Sequence, residues 1–86
     1  MRPVRIEEGG FEIEAAYLAE QFRLDPSEVP ELLRSQRILA RCERGEGSDA
    51  GRYRLTFRFG PSRLSLIVDE SGELIRRTAV RWPSTR

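Results

Sequence analysis

The sequence predicts an α+β domain in two layers: an N-terminal β-hairpin, two short helices, then a four-stranded antiparallel meander with the helices packed on one face. Two observations carry this prediction. Between Arg52 and Val68, apolar and polar residues alternate on both sides of a turn sequence, which is typical of a hairpin with one buried face. Between residues 15 and 36, the apolar residues instead recur at helical spacing.

The length and the cysteine content limit the class of protein. We assign residues 1–86 to a single domain, with 83–86 as a frayed tail. A domain of this size buries only about 60 to 65% of its unfolded surface, so we expect modest stability or help from association. The lone Cys42 cannot form an internal disulfide, and no signal-like or membrane-length apolar segment is present. The predicted location is the cytoplasm.

The N-terminal third begins with a predicted hairpin and a helix. Residues 3–8 and 11–13 flank Gly9-Gly10, a dipeptide that accepts the positive φ values of a two-residue loop. The stretch Ala15 to Arg23 then places its apolar residues on one face, which predicts an amphipathic helix of about two to three turns.

The second helix has two possible starting points. In one, Asp25 caps the helix, Pro26 takes the first helical position and Glu28 completes a capping box. Pro30 would then lack a backbone hydrogen bond. In the other, residues 25–27 form only a turn and Ser27 caps a helix in which Pro30 is the third residue. Both alternatives predict a helix that ends near Gln36 and buries apolar side chains. These are Val29, Leu32 and Leu33.

The first strand of the meander is predicted at Ile38–Glu43 by its alternation. We expect Cys42 opposite Tyr53, which makes the cysteine a small buried hydrophobe, and Glu43 opposite Arg52. The glycine-rich segment Arg44–Gly51 does not match a phosphate-binding loop, because it joins two strands and lacks lysine. We interpret it as a flexible hairpin loop.

The central hairpin is predicted to turn at residues 60–63, with Pro61 at the second position of a type I turn. In this register, Phe57 faces Leu66 and Arg54 faces Asp69. One face is then apolar. Its members are Tyr53, Leu55, Phe57, Phe59, Leu64, Leu66 and Val68.

The last strand follows a three-residue loop, Glu70-Ser71-Gly72, with Gly72 in the left-handed conformation. Strict alternation from Leu74 would place Arg76 in the core. We therefore predict a β-bulge near Arg76-Arg77, with Val80 and Trp82 on the apolar face.

The charge is divided unequally along the chain. All fifteen basic residues are arginine, and lysine and histidine are absent. Residues 1–36 hold four arginines and eight acids, whereas residues 37–86 hold eleven arginines and six acids. The arginine-only composition is explained more simply by a GC-rich coding background than by selection at each position.

Several kinds of catalysis are disfavoured by the residues available. Without histidine there is no Ser-His or Cys-His dyad, and one thiol leaves a zinc site without its usual ligands. The acidic pairs lie in predicted turns, where solvation explains them. We predict a non-enzymatic protein with no catalytic residues, no metal site and no cofactor.

The polar face of the predicted sheet is the candidate interaction surface. It holds Arg41, Arg52, Arg54, Arg58, Arg63 and Ile67, together with Arg77 or Arg81. A solvated face covered by arginine stems is the simplest interpretation. RNA binding by such a face usually needs exposed aromatic side chains, and here the aromatics fall on the inward side. Contact with a protein partner, or self-association through faces or edge strands, fits the mixture better.

Residues 15–39 resemble the small winged helix-turn-helix domains of excisionase-type regulators. The resemblance is carried by a helix, a tight turn and a short helix that ends in Leu32-Leu33-Arg34-Ser35-Gln36-Arg37-Ile38. It implies DNA binding, although Asp25, Glu28 and Glu31 at the start of the second helix would be repelled by phosphates. DNA binding is therefore the alternative to protein interaction or regulation.

Nearly the full chain resembles a family of small bacterial proteins of unknown function. The resemblance is carried by Leu24-Asp25-Pro26-Ser27-Glu28-Val29-Pro30, by Cys42-Glu43-Arg44-Gly45 with Gly47, Asp49 and Gly51, by Arg52-Tyr53-Arg54-Leu55-Thr56-Phe57, and by Leu66-Ile67-Val68-Asp69. It implies a self-contained domain and assigns no activity to any residue.

Overall fold

The structure, a computed structural model, describes residues 1–82. The predicted tail at 83–86 lies outside the described residues. The elements in chain order are β1 (Val4–Glu7), β2 (Gly10–Ile13), α1 (Ala15–Phe22), a 3₁₀ turn (Pro26–Glu28), α2 (Val29–Arg34), β3 (Ile38–Arg44), a second 3₁₀ turn (Gly47–Asp49), β4 (Arg52–Phe59), β5 (Ser62–Asp69) and β6 (Leu74–Arg81).

The predicted α+β architecture is confirmed. Strands β3 to β6 form a four-stranded antiparallel sheet in sequence order, and β1 pairs with β2 in a separate hairpin. The helices and the hairpin cover one side of this sheet, which we call the inner face; the opposite side is the outer face. The core between the layers consists of Val4, Tyr17, Leu18, Ala19, Val29, Ile38, Leu55, Phe57, Leu64, Leu66 and Val68.

Aromatic contacts join the two layers. The ring of Phe11 in β2 meets Phe57 in β4 edge to face, with centroids 6.0 Å apart. Phe22 at the end of α1 lies 5.7 Å from Phe59 at the end of β4. Such pairs contribute about 0.5 to 1.5 kcal/mol beyond the area they bury, so they help to fix the small helical layer on the sheet.

The turn of the β4–β5 hairpin is shorter than predicted. Only Gly60 and Pro61 form the loop, and Phe59 pairs with Ser62. Gly60 has a φ of 57°, which together with the fixed negative φ of proline gives the φ pattern of a type II′ turn. The predicted four-residue loop is wrong, and every predicted pair moves by two residues.

This shift changes the partners across β4 and β5 but not the faces. Phe57 pairs with Leu64 rather than Leu66, and Arg54 pairs with Ile67 rather than Asp69. The predicted Arg54–Asp69 ion pair is therefore wrong. Because side chains alternate with a period of two, a shift of two residues keeps the apolar row on the inner face.

The pairing of β3 with β4 is shifted in the same way. Cys42 pairs with Leu55 rather than Tyr53, and Glu43 pairs with Arg54 rather than Arg52. Cys42 has the predicted inward parity but is exposed, so its prediction as a buried hydrophobe is wrong. The reason is that β3 is a sheet edge and only its first residue, Ile38, is buried by the helical layer.

The bulge in β6 lies earlier than predicted. The register shift falls between Ile67 and Val68 on β5, which leaves Ile75 of β6 without a partner. Because the bulge precedes Arg76, Arg76 faces outward opposite Ile67 and Arg77 faces inward opposite Leu66. The predicted inward positions of Val80 and Trp82 are therefore wrong. Val80 pairs with the outward Arg63. The side chains of Val80 and Trp82 are both exposed.

The inward Arg77 remains exposed because it reaches the rim of the helical layer. Its Nη1 donates a hydrogen bond to Oε1 of Gln21 in α1, at 3.1 Å. The aliphatic stem can thus lie along the sheet while the guanidinium stays in water.

The helical layer follows the predicted segments with different boundaries. Helix α1 ends where Arg23 adopts a left-handed φ of 60°. Asp25 caps the 3₁₀ turn by accepting a hydrogen bond from the backbone N–H of Ser27 at 2.9 Å. The α-helix itself begins at Val29 with Pro30 in its first turn, where no backbone donor is needed, and it ends at Arg34 rather than Gln36. Neither predicted start is fully correct.

The N-terminal hairpin turns at Glu8-Gly9, one residue before the predicted Gly9-Gly10. Its first strand is held against the loop that precedes β6. The backbone N–H of Leu74 donates to the carbonyl of Met1 at 2.9 Å, and a Cβ on Gly72 would overlap the carbonyl oxygen of Val4. Gly72 has a φ of 87°, as predicted for this loop. Only glycine satisfies both the dihedral and the close approach.

Candidate interaction surface

The structure places all six residues of the predicted interaction surface on the outer face of the sheet. They are Arg41, Arg52, Arg54, Arg58, Arg63 and Ile67. The five arginines are exposed, and Ile67 is half-buried. Arg76 of β6 also lies on this face, although the sequence analysis placed a β-bulge at this position. Arg77 and Arg81 share the inward parity, so the alternative that they join the outer face is wrong.

The register arranges the outer face in three rows that cross the four strands. One row is Leu39, Arg58, Arg63 and Val80; the middle row is Arg41, Thr56, Ser65 and Thr78; the third is Glu43, Arg54, Ile67 and Arg76. Neighbours in a row are about 4.5 to 5.5 Å apart at their Cβ atoms. Arginines therefore lie on both sides of a central row of hydroxyl groups.

The outer face has an excess of positive charge. Its six arginines share it with two acids, Glu43 and Asp69. Within residues 1–82, the only ion pair on this face joins Arg41 to Glu43 at 3.6 Å, and it is well exposed. Arg52, Arg54, Arg58, Arg63 and Arg76 have no carboxylate within 4.0 Å in that part of the chain.

The carboxylate of Asp69 is occupied by its own turn rather than by an arginine. Oδ1 accepts hydrogen bonds from the backbone N–H of Ser71 at 2.8 Å, from the hydroxyl of Ser71 at 2.7 Å and from the backbone N–H of Glu73 at 3.0 Å. The hydroxyl of Ser71 and these backbone donors hold the pKa of Asp69 below its ordinary value. Asp69 thus stabilises the β5–β6 loop and neutralises little of the outer face.

Two of the arginines face each other directly. Arg58 and Arg63 are cross-strand partners on neighbouring strands, an arrangement that is unfavourable for like charges. The guanidinium carbon of Arg63 lies 5.2 Å from the ring centroid of Trp82, so this side chain turns toward the indole of the residue that follows β6. A cation–π contact of this kind is favourable by about 0.5 to 1 kcal/mol at an exposed site.

Exposed apolar side chains lie among and beside the arginines. Leu39 is 52% exposed at one edge of the sheet, and Trp82 is 47% exposed at the other. Ile75 and Val80 of β6 are also exposed. Large apolar groups bordered by charged ones are a common composition for a surface that contacts another protein.

Two depressions lie on the outer face. The larger, of about 490 Å³, lies where the β3–β4 loop meets the sheet and includes Arg52, Tyr53 and Asp49 in its walls. The smaller, of about 310 Å³, lies over β4, β5 and β6. It is lined by Arg54, Thr56, Arg63, Ser65, Ile67, Arg76, Thr78 and Val80.

Four outer-face residues were not predicted from the sequence: Arg76, Thr78, Val80 and Trp82. The only signal for them was the adjacent apolar pair Leu74-Ile75, which cannot both point inward without a bulge at that point. Placing the bulge there exchanges the faces of all later residues of β6.

Two other kinds of site can be considered in the described chain, a metal centre and a reactive thiol. Among residues 1–82, no group of three histidine, cysteine or acidic side chains is placed to hold a metal ion. Although Cys42 is exposed as a residue, partial desolvation of its thiol raises the pKa, and the neighbouring Glu43 acts in the same direction, so the reactive thiolate is disfavoured.

No helix in the described part of the chain combines the length and the apolar character needed to cross a membrane.

The fold and its surface define a small two-layer α+β domain whose sheet is covered on one side and rich in arginine on the other. The chain belongs to DUF6522, a family of unknown function, whose family model matches residues 1–86. Neither the curated proteins nor the solved structures include a match to this chain.

Proposed function

We propose that the protein is a non-enzymatic interaction or regulatory module, acting in the cytoplasm, whose outer face binds a protein partner with acidic and apolar side chains. One observation carries the proposal. The outer face combines arginines that have no carboxylate partner within residues 1–82 with exposed leucine, isoleucine, valine and tryptophan side chains. Acidic groups of a partner would pair with these arginines, and its apolar groups would cover the exposed apolar side chains.

Stability alone does not account for this surface. The outer arginines form few contacts that would stabilise the fold, and the Arg58–Arg63 pair opposes it. A partner with negative charge removes that repulsion and gains several charge-assisted hydrogen bonds from guanidinium groups.

The structure also separates the two directions from which a partner could approach. Acidic residues of the first third lie on the hairpin and the helical layer, and include Glu12, Glu20, Glu28 and Glu31, all exposed. An acidic partner is therefore favoured at the outer face and disfavoured at the helical side.

A titration of the isotope-labelled chain with a model peptide of alternating glutamate and leucine tests the proposal. Binding should shift the backbone amide resonances of outer-face residues such as Leu39, Arg58, Ile67 and Val80, and leave α1 and α2 unchanged. The affinity should fall with added salt, because exposed charges are screened.

Two charge reversals provide a matched comparison. Arg58→Glu removes an outer-face arginine, whereas Arg37→Glu removes an exposed arginine between α2 and β3; neither has an ion-pair partner within residues 1–82. Arg58→Glu should weaken peptide binding by about tenfold, and Arg37→Glu by less than about twofold. Equal effects of the two variants, or shifts confined to the helical layer, would contradict the proposal.

DNA binding, the alternative suggested by the sequence, remains a prediction that the same titration can test. The segment that would enter a DNA groove is the six-residue helix α2, whose Glu31 pairs with Arg34. It lies on the side of the sheet opposite the outer-face arginines. If duplex DNA binds more tightly than the peptide and shifts α2 resonances, DNA binding replaces the proposal.

Self-association is the second form of protein contact that the sequence predicts. Within the described residues, β3 and β6 are the unpaired edges of the sheet. We propose that self-association uses an edge strand rather than two outer faces, because stacking the faces would bring two sets of six arginines together. Light scattering over a range of protein concentrations should show a mass that rises as salt increases if outer faces pair, and one that depends little on salt if edges pair.

A further inference from the structure

The smaller depression on the outer face has the features of an anion site. Three arginines, Arg54, Arg63 and Arg76, and three hydroxyl residues, Thr56, Ser65 and Thr78, line it. The six residues come from three neighbouring strands, so the backbone hydrogen bonds of the sheet fix their spacing.

Ser65 of β5 lies at the centre of this group. Its neighbours in the row are Thr56 on β4 and Thr78 on β6. Arg63 lies two residues before it on the same strand, and Arg54 and Arg76 flank Ile67, two residues after it. Two residues along a strand span about 7 Å, so Arg63 lies on one side of the hydroxyl row and Arg54 and Arg76 lie on the other.

The donors of the depression are not satisfied by the protein. Within residues 1–82, the three hydroxyl groups take part in no side-chain hydrogen bond, and the three guanidinium groups have no carboxylate within 4.0 Å. Among residues 1–82, Arg63 also makes a cation–π contact with Trp82, which leaves its N–H donors available. The depression therefore presents a surplus of hydrogen-bond donors and positive charge to solvent.

We propose that this depression binds a phosphoryl group, carried by the protein partner as a phosphorylated side chain. This inference rests on the proposed function and deepens it. A phosphoryl group has close to two negative charges and three acceptor oxygens, which suits three arginines around a row of hydroxyl donors. A carboxylate has one charge and two oxygens in a plane, so it can engage only part of the group.

Inorganic phosphate is the first probe. Titrated into the isotope-labelled full chain at constant ionic strength, it should give saturable shifts at the amides of Thr56, Ser65 and Thr78 and at the side-chain Nε–H groups of the three arginines. Acetate at the same ionic strength should bind at least about tenfold more weakly, because it loses charge-assisted hydrogen bonds.

Charge removal in the depression has a matched control on the same face. Arg63→Gln and Arg76→Gln should each weaken phosphate binding by about tenfold, since each removes a charged donor. Arg41→Gln removes one charge from the same face outside the depression and should change the affinity by less than about twofold. Unchanged resonances of the core residues in each variant would show that the fold is retained.

Three outcomes would overturn the site. These are shifts that do not saturate, binding of acetate as tight as that of phosphate, and equal loss in Arg41→Gln and Arg63→Gln. Each would show that phosphate responds only to the general charge of the face.

Phosphopeptides separate this inference from the proposed function. A glutamate–leucine peptide with one phosphoserine should bind at least about tenfold more tightly than the same peptide with glutamate there. If both peptides bind the outer face equally, the phosphoryl site is contradicted and the proposed function is supported. If phosphate saturates the depression but neither peptide binds, the proposed function falls. Tighter binding of a 5′-phosphorylated oligonucleotide than of the phosphopeptide would assign the phosphoryl group to nucleic acid and overturn a protein source.

Discussion

The two faces of β4 and β5 belong to the same strands but differ in their burial and in their residue types. On the inner face, Leu55, Phe57, Leu64 and Leu66 are essentially inaccessible to solvent and form the centre of the core. On the outer face, the neighbouring positions hold arginine, threonine and serine, and most remain open to water. The inner face thus determines whether the chain folds. The outer face is free to be selected for contacts with something other than the chain itself.

The inner face should show the largest loss of stability. Phe57 is fully buried and contacts the Phe11 ring, so Phe57→Ala should lower the free energy of unfolding by about 3 to 5 kcal/mol. Chemical denaturation monitored by circular dichroism measures the change. Ile67→Ala, at a half-buried position on the outer face, is the control and should cost clearly less. Similar losses for the two would remove the distinction between the faces.

The contact between the N-terminal segment and the sheet should rank second. Gly9 and Gly72 both have a φ of 87°, but only Gly72 lies against another backbone. Gly9→Ala should cost about 1 to 2 kcal/mol for the left-handed conformation alone. Gly72→Ala should cost about 1 to 3 kcal/mol more, because the methyl group meets the Val4 carbonyl. Equal unfolding free energies for both variants would contradict this close approach.

Asp69 lies on the outer face but stabilises the fold through its loop, which gives a pH-dependent effect. Its folded pKa is lowered, so its contribution is present above the unfolded pKa of about 3.9 and is lost as the pH falls through the folded pKa. Asp69→Asn should therefore be less stable than the wild type at pH 7, and the difference should shrink at about pH 2. Denaturation at both pH values measures this difference in stability.

An equally large difference between Asp69→Asn and the wild type in acid would show that the carboxylate charge is not the cause. Glu70→Gln, at the next position, is the control and should alter stability little.

The outer face should show the smallest effect and the opposite sign. Arg58→Thr relieves the repulsion from Arg63, and threonine has a high strand propensity. The substitution should therefore raise the unfolding free energy by about 0.2 to 1 kcal/mol. Arg41→Thr, which removes an arginine that has an acidic neighbour, should give no gain. A clear loss of stability in Arg58→Thr would mean that this guanidinium stabilises the free protein.

The faces of β3 to β5 could be predicted from the sequence because alternation has a period of two. The predicted loop at residues 60–63 was too long by two residues, yet Arg54 and Arg58 still fell on the correct face. The exact pairs could not be predicted, since a proline in a turn is compatible with both loop lengths. Turn conformation, here the positive φ of Gly60, decides between them.

Strand β6 shows where alternation fails. From Ile75 onward its residues are exposed on both sides, so burial imposes no pattern that the sequence could reveal. A single extra residue at Ile75 then exchanges the two faces, which moved Arg76 and Val80 to the candidate site and Arg77 away from it. The part of the site on β4 and β5 was therefore predictable, and the part on β6 was not.

The contact of Gly72 with Val4 also has a consequence for the order of folding. Every pair of strands in the four-stranded sheet is adjacent in sequence, so β3 to β6 can assemble by closing short loops. The link from Met1 and Val4 to residues 72–74 instead spans almost the whole chain. We expect it to form last, because closing a long loop costs more entropy than closing a short one. Gly72→Ala should therefore speed unfolding and leave the folding rate nearly unchanged in stopped-flow experiments, whereas Phe57→Ala should slow folding.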